Sequence, residues 1–168
     1  TLRAVVSGLN AENAWLLVRD SNTGDFCARF ARQHEGTNDL FELLIGAGSP
    51  LIGLLTREAQ VIKVDLLETF PEARGLQVKE KDTLSTQRVN LLCPMVSRGI
   101  LVGILALGKK KTGMDYITEE IDALLTMASG AALALDNAAV MDNLRDQQRR
   151  TEELLAQVVH AQEQEREW

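Results

Sequence analysis

The chain has 168 residues, 45% of them hydrophobic and 4% aromatic, which is enough for one domain around an aliphatic core. The net charge of −6 is uneven: residues 118–168 hold 11 Asp/Glu against 4 Lys/Arg, and residues 1–117 hold 13 against 14. Neither part offers the basic field that nucleic-acid binding needs, and with no signal peptide and no apolar run of about 18 residues a cytoplasmic segment with no membrane insertion is expected.

Leu2 to Leu9 reads as a short amphipathic helix. Asn13 to Asp20 and Phe26 to Gln33 are strand-like runs around the turn Ser21-Asn22-Thr23-Gly24-Asp25. Ser49 to Glu58 is predicted helical, with Ser49 as cap and Pro50 in the first turn. Val61 to Val64 is a short β-branched strand. Asp65 to Asn90 is irregular, with Pro71, Gly75 and the charged run Lys79-Glu80-Lys81-Asp82, and is expected to hold one short helix and a loop. Leu91 to Val96 and Ile100 to Leu107 flank Ser97-Arg98-Gly99 as a hairpin. Pro94 in its first strand calls for a bulge, or for a position whose N–H is not needed. The basic run Lys109-Lys110-Lys111 reads as a solvated strand end.

From Thr118 to Trp168 there is no proline, and Gly130 is the one glycine. Thr118 is the expected cap, with Glu119, Glu120 and Asp122 favourably placed in the first turn. A single helix over this stretch would be roughly 75 Å long at 1.5 Å per residue. A domain built from the preceding residues is about 30–35 Å across, so much of the helix must find its own partner. Its first part carries a broad apolar face: Ile121, Leu124, Leu125, Ala128, Ala131, Ala132 and Leu135. Beyond Ala139 the face narrows to two positions in seven. One row is Val140, Gln147, Leu154, Ala161 and Trp168; the other is Leu144, Thr151, Val158 and Glu165. This is a coiled-coil seam, weakened by Gln147, Thr151 and Glu165. Val140, Leu144, Gln147, Thr151, Leu154 and Val158 are the candidate dimer seam, and a homodimer through the C-terminal helix is the expected assembly. Two domains follow: 1–138 globular and 139–168 coiled coil.

The order helix, two strands, helix, strand, irregular segment, two strands, long helix gives an α+β fold. An antiparallel sheet of five or six strands is expected, with the terminal helices on one face. The chain starts at Thr1 and stops within a helix, as an excised piece of something longer would.

Three segments carry a family resemblance. Leu43 to Leu66 (LLIGAGSPLIGLLTREAQVIKVDL) resembles the glycine turn, helix and return strand of GAF domains. Leu91 to Lys110 (LLCPMVSRGILVGILALGKK) resembles their signature hairpin, and Ile117 to Ala138 their closing helix. Together they cover the order of elements over residues 1–140. The tail Val158 to Glu167 (VVHAQEQERE) resembles the linker ahead of the phosphoacceptor region in bacterial sensor histidine kinases. The resemblance implies a signal-sensing GAF domain from two-component signalling, with the kinase in the parent protein and no enzyme in this segment.

The candidate site residues weigh against catalysis and against a cofactor. His160 is followed by Ala161-Gln162, where a phosphoacceptor box would have an acidic residue. His34 at a strand end suits a solvated turn better than a haem ligand. Two histidines and two cysteines far apart show no metal-ligand spacing. Cys27 and Cys93 lie in apolar runs and read as buried, reduced thiols. No cysteine falls between Asp65 and Asn90, where a bilin would attach. There is no P-loop, no nucleophile elbow and no recognisable cyclic-nucleotide set. No catalytic residue, metal or cofactor is therefore expected. Two readings stay open. In one, a pocket between the sheet and segment Asp65–Asn90 binds a small ligand and the long helix reports it. In the other, the domain is a ligand-free dimerising spacer, its pocket plugged by Phe70, Leu76 and Leu84.

Overall fold

The computed structural model describes residues 2–33 and 43–166. Helix α1 (Leu2–Gly8) precedes β1 (Asn13–Arg19), β2 (Phe26–Gln33) and β3 (Leu44–Ile45). Helix α2 (Pro50–Glu58) and β4 (Ile62–Lys63) follow. The irregular segment is more ordered than expected. It holds two 3₁₀ turns, Val64–Thr69 and Pro71–Gly75, and helix α3 (Val78–Thr86). The hairpin β5 (Val89–Ser97) and β6 (Ile100–Gly108) leads into α4 (Thr118–Arg166).

The six strands form one sheet in the order β3-β2-β1-β6-β5-β4. All five pairings are antiparallel. The β5–β6 turn places Arg98 at φ 51° and Gly99 at φ 78°, two consecutive left-handed residues whose twist matches the flanking strands. Pro94 meets the second expectation, since it stays in regular register with Ile104. β4 pairs with β5 only at Leu91 and Leu92, so the edge alongside Pro94 has no strand to receive an N–H. The β5–β6 register shift that follows Met95 leaves its extra residue, Val102, on β6 and not on the strand of Pro94.

Strand alternation divides the core between two faces. Trp15, Leu17, Phe26, Leu92, Ile104 and Ala106 pack with Leu51, Leu54 and Leu55 of α2 and with Leu67, Ala73, Leu76 and Leu84 of the 64–86 segment. The alternate residues Ala14, Leu91, Cys93, Met95, Leu105 and Leu107 are buried on the other face. That face takes the terminal helices: Val5 and Val6 of α1, Leu9 just after it, and Leu124, Ala128 and Ala132 of α4 are buried, with Cys93 Sγ 4.0 Å from the Leu124 carbonyl. Alanine at 128 and 132 lets the helix backbone approach the sheet closely.

Two helix starts differ in how they are capped. At α2 the Ser49 hydroxyl accepts from the Leu51 N–H at 3.3 Å with Pro50 behind it, as its sequence predicts. At α4 the expected cap is corrected by one residue. Ile117 holds the cap position, since its carbonyl accepts from the Glu120 and Ile121 N–H groups. Its own N–H donates to Glu120 Oε2 at 2.9 Å, the glutamate half of a capping box. Thr118 is then the first helical residue.

The chain divides into two compact units, Thr1–Leu133 and Ala134–Trp168. In the second unit every described residue from Asn137 onward is exposed. Among the described helices α4 alone is long and apolar enough, by length and composition, to cross a membrane. It qualifies on mean hydropathy and not as the unbroken apolar run that the sequence lacks. Thr126, Ser129 and Asp136 interrupt its apolar stretch, and Leu124, Ala128 and Ala132 belong to the domain core.

Candidate functional site

The space directly under segment 65–90 is filled. Leu67, Ala73, Leu76 and Leu84 belong to the buried core, and Phe70 packs partly buried against it. What remains open lies at the edges of the segment. A cleft of about 340 Å³ has a floor of Val64, Leu67, Ala73, Leu76, Leu84 and Val89, and a rim of Asp65, Glu68, Lys81, Ser85, Asn90 and Lys109. Lys81 and Glu68 face each other at 3.8 Å across it, tying α3 to the first 3₁₀ turn. A wider cleft of about 600 Å³ lies between the start of α2 and α3, lined by Gly46, Gly48, Ser49, Gly75, Gln77 and Lys79 among others.

Local backbone irregularity gathers beside the smaller cleft. Arg88 takes a left-handed φ of 54°. The β5–β6 register slips between Val89 and Leu91, making Asn90 a bulge. Bulges re-aim side chains and recur next to functional sites. On the outer side, Arg57 of α2 donates to Glu72 and to Glu58, fastening the second 3₁₀ turn to α2. The Arg57 guanidinium holds the Glu72 carboxyl below the usual carboxylate range.

The end of β6 corrects the reading of the lysine run. Lys109 and Lys111 are exposed, but Lys110 is buried. Its ammonium lies 2.5 Å from Glu120 Oε2 and 5.4 Å from the centre of the Tyr116 ring. That hydrogen bond, followed by the one from Ile117 N–H, lowers the Glu120 pKa. Tyr116 donates to the Gly108 carbonyl at 2.7 Å, and burial pushes its phenol well above the ordinary value, with Glu120 and Glu12 adding to the shift. The period-two alternation of an extended strand end explains why only the middle lysine turns inward.

The seam residues lie apart from both clefts, on α4. Val140 is 45% exposed, Leu144 51%, Leu154 62% and Val158 55%, so none has cover within one chain. Gln147 and Thr151 are exposed between them, with the Thr151 hydroxyl donating to the Gln147 carbonyl at 2.9 Å. His160 is another exposed residue of the same helix. His34 and Trp168 lie outside the described residues. The cysteines split. Cys93 is buried as expected, whereas Cys27 is only partly so. Among the described residues no group of three or more His, Cys, Asp or Glu is placed to hold a metal.

No protein-family model matches the sequence, and no curated protein does. Solved structures do match. The GAF domain/HD domain protein of Geobacter sulfurreducens superposes with a TM-score of 0.62 at 18% identity, over 83% of this chain and 90% of that one. The blue-light absorbing form of the PixJ GAF domain of Thermosynechococcus elongatus gives 0.58 at 17%, over 84% and 83%. A domain assigned to a two-component sensor histidine kinase of Sinorhizobium meliloti 1021 gives 0.55 at 19%, over 81% and 85%. At these identities the likeness establishes architecture: the six-stranded antiparallel sheet with its terminal helices on one face is the GAF fold.

Proposed function

We propose that this chain is the cytoplasmic signal-sensing domain of a sensor histidine kinase. It takes a small ligand in the cleft rimmed by Lys81, Asn90 and Lys109, passes the change along α4, and has no catalytic activity of its own. One observation carries the reading. Helix α4 is continuous from Thr118 to Arg166, with its first turns in the domain core and an exposed apolar seam in its remaining length. An uncovered seam of Val140, Leu144, Leu154 and Val158 calls for a second copy, and a parallel homodimer supplies the two-fold symmetry that a dimeric kinase reads. Polar Gln147 and Thr151 keep that coil marginal, hence able to switch between two packings as the ligand shifts the population. The histidine-kinase structure with the same fold and the Gln162-Glu163-Gln164-Glu165-Arg166 string support the assignment of the parent.

The cleft falls in the size range of small-molecule sites and combines an apolar floor with a mixed-charge rim, which suits a small polar metabolite with an apolar portion. A thermal-shift screen of the purified chain against metabolites tests the ligand. A hit whose shift disappears in Asn90→Ala and Lys109→Ala supports the cleft; hits unaffected by both place binding elsewhere. The spacer reading has its own observation: Leu67, Leu76 and Leu84 belong to the buried core under the segment, and the cleft beside them is open to solvent. A screen without hits, together with an intact dimer, would favour the spacer.

A further inference from the structure

The cleft and the start of α4 meet at three consecutive residues. Gly108 pairs with Val89 of the cleft floor, Lys109 lines the cleft rim, and Lys110 holds Glu120 of α4. The backbone of these residues is held from the side away from the cleft. Tyr116 donates to the Gly108 carbonyl, the Glu12 N–H to the Lys109 carbonyl at 2.8 Å, and Lys110 bridges to Ala11. At Gly108 an added Cβ would be in ordinary contact with Asn13 at 3.4 Å and the Arg88 carbonyl at 3.5 Å, so the strand end packs against both neighbours. Lys63 approaches Asp115 at 4.0 Å and ties β4 to the chain just before α4. On α4 one oxygen does two tasks: Glu120 Oε2 accepts from Lys110 and also caps Ile117.

We infer that Gly108–Lys110 is a joint coupling the cleft to α4, with Lys110 as a positioning residue acting through Glu120. The inference rests on the reading that the cleft is the ligand site. A ligand engaging Lys109 displaces the end of β6. Because Tyr116, Glu12 and Ala11 hold that end from the other side, the displacement does not dissipate in a loop. It reaches Lys110, and through it the oxygen that caps the helix. Drawing Glu120 toward Lys110 weakens the Ile117 cap; relaxing it strengthens the cap. The first turn of α4 therefore has two arrangements, and the cleft biases them.

The test needs no natural ligand. In the whole 168-residue chain, Ser85→Cys on a Cys27→Ser background is modified with a benzyl methanethiosulfonate, which fills the cleft from its rim. Amide hydrogen exchange is read at Ile117, Glu120 and Ile121. The adduct is expected to change exchange there by about fivefold, the factor that one helix cap is worth. In Lys110→Met the change should vanish, while Val89 and Asn90 still respond. Glu120→Gln keeps a cap acceptor but loses the ion pair, and should shrink the response in the same way even if Lys110→Met folds poorly. Silence at Ile117–Ile121 in the otherwise unaltered chain overturns the joint. So does a response that persists undiminished in the two variants. A metabolite screen without hits would instead sink the ligand reading and leave the adduct result standing.

Discussion

Cys27 and Cys93 have similar surroundings in the sequence and different chemistry in the fold. Each sits among apolar residues in a strand, but Cys93 belongs to the strand alternation that faces α4, and Cys27 lies on β2 near the β3 edge of the sheet. Burial under α4 pushes the Cys93 thiol up to about 12, which leaves almost no thiolate at neutral pH. Iodoacetamide on the native protein at pH 7.5 should therefore modify Cys27 and spare Cys93, read by mass spectrometry of the digested protein. Equal labelling would show that α4 opens away from the sheet on the labelling timescale. Lys110 teaches the complementary lesson. Three lysines in a row look solvated from composition alone. The signal that the middle one is buried was present, but spread out: an extended strand end that turns alternate residues inward, an aromatic residue six positions on and a carboxylate ten positions on.

Among elements, those with local grammar were legible. Ser49-Pro50 announced α2, Ser97-Arg98-Gly99 announced the β5–β6 turn, and the lack of helix breakers announced α4. The strand β3 was not, because Leu44 and Ile45 are too few to show a period and are defined only by pairing with Phe26 and Cys27. The two 3₁₀ turns escaped for a similar reason. The cleft could not be located from sequence beyond its segment, since its walls come from that segment, β5 and the residue after β6. The first turn of α4 has an acid-linked signature. The folded pKa of Glu120 is lowered by Lys110 and by the Ile117 N–H, so its stabilising contribution is complete above the ordinary carboxylate value of about 4.3 and is lost as pH falls through the lower folded value. Glu72 and Asp20 act in the same direction. The melting temperature should fall on acidification below about pH 4. In Glu120→Gln it should be lower at pH 7, with a shallower acid limb; an unaltered acid limb would mean that the Lys110 pair contributes nothing to folding.

For the whole molecule the decisive question is what covers the exposed seam. Leu144→Asp with Leu154→Asp places unpaired carboxylates in it at four points of a dimer. Sedimentation should then show a monomer, and circular dichroism should show the sheet domain still folded, because Leu124, Ala128 and Ala132 anchor α4 without help from the seam. A dimer that survives both substitutions would locate the contact on the domain surface.

The seam has one more property. Read from its start, the six positions are Val140, Leu144, Gln147, Thr151, Leu154 and Val158: valine, leucine, polar, polar, leucine, valine. The spacings, four and three in alternation, are the same from either end. Over these six positions the stripe is close to a palindrome, and only the flanking positions, Ala161 and Glu165 against Asn137 and Leu133, give it an arrow. Two such helices satisfy the six positions equally well running side by side or head to tail, with apolar layers facing apolar layers and the polar pair at the centre in both cases. Direction must then be imposed by what is attached. A peptide of residues 134–166 should form both orientations, and thiol exchange between end-labelled peptides would count them. The 168-residue chain should form only one. The domain would in that case set the polarity of its own output, independently of any ligand it binds.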